Sequence, residues 1–195
     1  MGTSLDVTKT QKGPSRIWFA LAVPAASQYL TIGATGIPDA TENPSAKLVG
    51  LTEAGAMLNL KRSFTEEFYD EQKYALERNL DQIGGSIKCE ANQVLDADNI
   101  SIATVGMGTA LTPIGKKAWT LGEAALAFTC VAAIAPTKND STKFVVFMLY
   151  QAYNKADFDV QLSRTNRAKL PLEFEGTAIP TRAATDTFGC LYITT

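Results

Sequence analysis

Two long runs between residues 47 and 106 alternate apolar with polar side chains, and a charged stretch separates them. The first run sets Leu58, Leu60, Phe64 and Phe68 on one face and Asn59, Lys61, Ser63 and Thr65 on the other. A period of two is that of a strand with one covered face, so 56–68 is predicted to be a half-buried strand. The second run, 86–94, turns Ile87, Cys89 and Ala91 inward and Ser86, Lys88, Glu90 and Asn92 outward, which predicts the returning strand. The mixed, charged stretch 69–84 between them closes on Gly84-Gly85 and reads as a loop. Beyond the second strand, Asp96 or Asp98 is placed to cap a short helix over 98–105, stopped by Gly106.

The rest of the chain adds strands. Residues 16–23 are a strand candidate through Trp18 and Phe19. Residues 24–46 are punctuated by Pro24, Gly33, Gly36, Pro38, Asn43 and Pro44 and read as loop, with a short strand at 28–32. The run 123–135 suits a helix by its alanines or a strand by Phe128, Thr129, Val131 and Ile134; the strand is preferred. A continuous apolar run at 143–150 predicts a strand buried on both sides. Phe158, Val160 and Leu162 then alternate against Asp157, Asp159, Gln161 and Ser163, and Leu170, Leu172 and Phe174 against Pro171, Glu173 and Glu175. Residues 188–193 form a last strand. Residues 1–15 are polar and read as an N-terminal arm, leaving 16–195 as one domain. The expected fold class is mainly β: an antiparallel sandwich or barrel with one short helix, an extended arm and loops.

Composition narrows the chemistry. A chain of 195 residues that is 46% hydrophobic can bury one good core. Its 18 basic and 20 acidic residues nearly cancel, which argues against the basic stripe of a nucleic-acid-binding domain. There is no histidine, so the commonest general base and metal ligand are both missing. Cys89, Cys130 and Cys190 lack any CxxC spacing and fall on apolar faces; they read as buried free thiols, with a disulfide between two of them as the alternative. The segment 108–117 fails as a phosphate-binding loop, because Ala110 stands where glycine is needed and Lys117 where the Mg²⁺-binding hydroxyl belongs. Asp96, Asp98 and Asn99 lack the glycine and glutamate of a calcium loop. The acidic pairs Glu66-Glu67, Asp70-Glu71, Asp157 with Asp159, and Glu173 with Glu175 read as solvated faces rather than as a glycosidase couple. The expectation is no catalytic residue, no cofactor and no metal, hence not an enzyme. No run is long enough to span a bilayer and residues 1–15 lack the apolar stretch of a secretory signal, so no membrane association is expected.

The ordered blocks resemble those of the phage tail tube (major tail protein) family. They are Gly50-Leu51-Thr52-Glu53-Ala54-Gly55 with the strand to Phe68, then 84–94 with the turn to Gly106, then 144–153 and 157–162, then Leu170-Pro171-Leu172-Glu173-Phe174-Glu175, and lastly Phe188-Gly189-Cys190-Leu191-Tyr192. The likeness covers most of the chain after residue 45. It implies a tail-tube-like β-sandwich whose copies form homo-hexameric rings stacked into a tube, each lending four strands to an inner barrel. About 24 strands at ~4.8 Å spacing and ~40° tilt give a wall about 150 Å around. The implied partners are further copies of the chain, other tail proteins, and double-stranded DNA in transit only, without sequence-specific binding. The implied location is the virion tail, after synthesis in the host cytoplasm.

On this resemblance the polar faces line the channel: Asn59, Lys61, Ser63, Thr65, Lys88, Glu90, Asn92, Asp157, Asp159, Glu173 and Glu175. An inter-ring contact loop would use Tyr69, Asp70, Glu71, Lys73, Glu77 and Arg78. The alternatives are another virion or injection-machine protein (tail terminator, connector, contractile injection tube) or a glycan-binding β-sandwich module.

Overall fold

The computed structural model describes residues 15–50, 52, 55–67, 77–92, 96–104, 108–111, 118–122, 125–137, 140, 142–160 and 168–194; for strand residues 64–67, 77–82, 108–111 and 121 it describes the backbone alone. The elements run β1 Arg16–Leu21, β2 Lys47–Leu48, β3 Met57–Glu67, β4 Glu77–Ala91, α1 Ala97–Ala103, β5 Gly108–Leu111, β6 Ala118–Leu121, β7 Thr129–Pro136, β8 Phe144–Asn154, β9 Leu170–Thr177 and β10 Gly189–Ile193. Eight strands form one sheet in the order β2-β1-β7-β8-β9-β4-β3, with β10 also on β8; β5 and β6 make a separate hairpin. The mainly-β class with one short helix is as expected, and the sheet is not closed into a barrel.

β8 organises the molecule. Its alternating and continuous apolar residues let it bury both faces, and it is long enough to take two partners along one edge. Val145–Leu149 pair with β10, and Gln151–Asn154 pair with β9. The sheet therefore divides at β8, one branch leading to β10 and the other to β9, β4 and β3. It also rolls up. Val49 donates its N–H to Ile17 of β1, and Thr52 bridges Ala91 of β4. Three residues span at most about 11 Å, so β1 and the end of β4 lie close although three strands separate them in the sheet. α1 closes this seam. Asp96 accepts hydrogen bonds from the N–H groups of Asp98 and Asn99, and the Asn99 amide donates to Val49 O at 2.9 Å.

The larger core lies inside the roll, where Ile17, Val49, Ile87, Val131, Leu149, Leu172 and Phe174 lose all or nearly all their exposure. The second core, with Leu21, Leu30, Ile134, Val146 and Met148, lies on the other face of β7 and β8, against residues such as Ile32, Ile179 and Tyr192. Cys89 and Cys130 are buried and Cys190 is half-buried, all three free thiols. Burial pushes the Cys89 and Cys130 thiols up to about 12.

A polar lock holds the segment between β9 and β10 onto this second core. The Arg182 guanidinium donates to Pro24 O at 2.7 Å and to Asp186 O at 2.8 Å, pairs with the Asp186 carboxylate, and stacks 4.2 Å from the centre of the Tyr150 ring. Tyr150 donates its hydroxyl to the same carboxylate at 2.8 Å. That hydrogen bond and the Arg182 contacts hold the Asp186 carboxyl below its ordinary 3.8. A carboxyl depressed in the folded state stabilises the fold above its unfolded pKa, and the contribution is lost as pH falls through the folded value. Urea midpoints of the wild type should therefore drop more steeply below pH 4 than those of Asp186→Asn. Parallel acid limbs would show that the lock carries no pH-dependent stability.

Several expectations need correction. The loop expected over 69–84 is strand from Glu77 onward, because β4 continues past Gly84-Gly85 and stays paired with β3 as far as Glu67↔Glu77. The strand expected at 157–163 is irregular over 157–160, with 161–163 outside the described residues. Among the described residues it forms no ladder with its intended neighbour β9, which pairs with β4 over Leu170–Glu175 and with β8 over Phe174–Thr177. At 28–32 there is only the single bridge Ile32↔Pro38. The start of the segment rejected as a phosphate loop is β5, which pairs with β6 just beyond that segment; neither strand was anticipated. The run at 123–135 is strand from Thr129, and 125–128 is irregular. The residues read as an arm lie outside the described residues, apart from Ser15.

Candidate assembly surface

The candidate surface is the β3–β4 pair and its junction with β9. Cross-strand partners in an antiparallel pair share a face. The register Leu58↔Ile87, Leu60↔Gly85 and Arg62↔Ile83 therefore defines one face, and Met57↔Lys88, Asn59↔Ser86, Lys61↔Gly84 and Ser63↔Gln82 the other. β9 extends both: Ile87↔Phe174 and Cys89↔Leu172 on the apolar side, Ser86↔Glu175, Lys88↔Glu173 and Glu90↔Pro171 on the polar side.

β9 covers only Ser86–Ala91 of β4. Over 77–85 the described partner of β4 is β3 alone, so a two-stranded ribbon extends roughly 30 Å beyond β9. The core ends at its base. Phe188 packs where a Cβ on Gly85 or Gly176 would collide with it, at 3.0 and 2.7 Å, so two glycines seat this ring. Beside and beyond this ring the apolar face is only half covered: Leu58, Leu60 and Ile83 are 44%, 54% and 55% exposed. The burial expected for Leu58 and Leu60 is thus not met within the chain. Period two shows which side chains share a face, but not whether anything lies over that face.

The polar face is built of ion pairs. Lys88 Nζ lies 2.8 Å from Glu173, Lys155 Nζ 2.8 Å from Glu175, and Lys169 Nζ 3.3 Å from Glu90. Tyr153 donates its hydroxyl to Glu175 at 3.1 Å. The Lys155 hydrogen bond is the chief reason the Glu175 carboxyl sits below its ordinary value, and Lys61 adds to the effect. The same bond raises Lys155. Burial, then Glu175, raises Tyr153.

Of the residues assigned to a channel lining, Asn59, Lys61, Ser63, Lys88, Glu90, Glu173 and Glu175 share this one face. Thr65 lies in β3 opposite Asn79, and its side chain is outside the described residues. Asn92 falls one residue past the end of β4 and is half-buried. Asp157 and Asp159 are exposed in irregular chain after β8, bonded Asp159 N–H to Asp157 O, and do not belong to this face as strand residues. Of the proposed contact loop, Tyr69, Asp70, Glu71 and Lys73 lie outside the described residues. Glu77 and Arg78 are strand, opposite Glu67 and Glu66.

Sequence reasoning missed Tyr153, Lys155 and Lys169. The signal was present for the first two: beyond Tyr150 the apolar run turns into Gln151, Tyr153 and Lys155 at period two. Neither a protein-family model nor a curated protein matches the chain.

Proposed function

We propose that this chain is a structural subunit of a phage or phage-like tail tube, not an enzyme, whose copies form hexameric rings stacked around a channel for double-stranded DNA. The observation that carries the reading is the ribbon of β3 with residues 77–85 of β4, which continues the polar face of β9 but leaves Leu60 and Ile83 on its apolar face about half exposed. An isolated two-stranded ribbon is marginal in water, and an open apolar edge invites pairing with another chain. A neighbouring copy laid against it would supply both the missing cover and the missing strand. Pairing between unlike edges is head-to-tail, and such contacts close into rings when the rotation permits. The polar faces of successive copies would then meet around the lumen. The ordered blocks that resemble tail tube proteins point the same way, as does the near-cancellation of charge.

Concentrated pure protein is expected to show annuli and tubes by negative-stain microscopy, with matching fast-sedimenting species in the ultracentrifuge. Annuli without tubes would indicate a single-ring terminator or connector. A monodisperse monomer at every concentration and salt would refute the proposal.

A further inference from the structure

We infer that Glu90, Glu173 and Glu175 are built-in counter-ions for Lys88, Lys155 and Lys169, which keep the polar face of β4 and β9 from retaining the phosphate backbone of DNA. The inference deepens the tube reading, in which this face lines the channel, and rests on it. Each of the three lysines reaches a carboxylate within 3.3 Å, and each pair bridges neighbouring segments of one surface. Half-exposed ion pairs of this kind add little to stability, so the fold gives small reason to keep three of them side by side. Their consequence for the surface is larger. A phosphate approaching any of these ammonium groups meets a carboxylate at almost the same distance, and attraction and repulsion largely cancel. Of the other described groups at the ribbon's root, Asn59 and Ser86 are neutral, and Lys61 is a fourth cation that shares Glu175 with Lys155.

The test is binding of a 30-base-pair duplex DNA to the full chain across a salt series. The wild type is expected to bind negligibly at 50 mM salt. The variant Glu90→Gln, Glu173→Gln, Glu175→Gln removes three carboxylates from beside the lysines and is expected to bind at least ~10-fold tighter. The log–log salt slope should steepen by about −0.9 for each lysine that gains a phosphate, up to about −2.7 for all three, the latter equivalent to a ~40-fold loss between 50 and 200 mM. Adding Lys88→Gln, Lys155→Gln and Lys169→Gln to that variant should abolish the gain. A control of equal net charge, Glu42→Gln with Asp157→Asn and Asp159→Asn, should not produce it. Circular dichroism checks folding, and microscopy of each variant tests the tube separately. Equal affinity of variant and wild type, or an equal gain in the charge control, overturns the inference even if tubes form. A gain in binding without rings from any protein would instead sink the tube.

Discussion

Replacing Leu58 and Leu60 together by aspartate is expected to leave the subunit folded and to abolish rings and tubes. Both side chains lie on the apolar face of the ribbon and are about half exposed in the isolated chain. The monomer thus loses little, within about 1 kcal/mol per site, as is usual away from a packed core. In an assembly that covers this face, each subunit contact forfeits about 2–3 kcal/mol of apolar burial and must also bury two carboxylates or exclude them. Carried round a closed ring, a deficit of that size prevents closure. Thermal melts followed by circular dichroism, with negative-stain microscopy on the same samples, separate the two effects. Tubes of normal length would show that this face is not the contact. A melt lowered as far as that of a core mutant would show that the face is covered within the subunit.

The core mutant for that comparison is Phe174→Ala, expected to have the largest effect on stability in the molecule. Phe174 is fully buried, sits opposite Ile87 on β4 and Asn154 on β8, and so holds the β9–β4 branch of the sheet onto β8. Removing a buried phenylalanine side chain typically costs about 3–5 kcal/mol in lost transfer energy and cavity formation. Whole domains are stable by about 5–15 kcal/mol, so this one change should bring the urea midpoint close to zero or leave the protein unfolded at 37 °C. A loss below about 1 kcal/mol would mean that the roll between β4 and β8 is not packed as described. The contrast is sharp because Leu60 and Phe174 follow the same alternating pattern two strands apart on the same face.

That contrast also shows how far the pattern of side chains can be read. The faces of β3, β4 and β9 were legible: the residues grouped as polar there share one surface, and Ile87, Cys89, Ala91, Leu170, Leu172 and Phe174 are buried together. The cap at Asp96 and the last strand were legible too, since a carboxylate before a helical turn and a β-branched, aromatic run are local signals. Asp157 and Asp159 misled for the opposite reason. Their alternation is as regular as that of Glu173 and Glu175, but alternation alone makes no ladder: beyond β8 the chain gives β9 the single bond from Lys155 N–H to Glu173 O and then runs irregularly through Asp157 and Asp159. The charged residues Glu77 and Arg78 misled because composition suggests a loop, whereas pairing to β3 carries the strand through them.

By itself the chain determined its class, the division of each strand into two faces, the absence of histidine chemistry and the position of the one short helix, because each depends on neighbours a few residues apart. Only the tertiary structure decided where the core stops, which lysine meets which glutamate, and that the ribbon stands clear of β9. Those depend on contacts between residues as far apart as Lys169 and Glu90, or Phe188 and Gly85, whose proximity is set by the roll of the whole sheet.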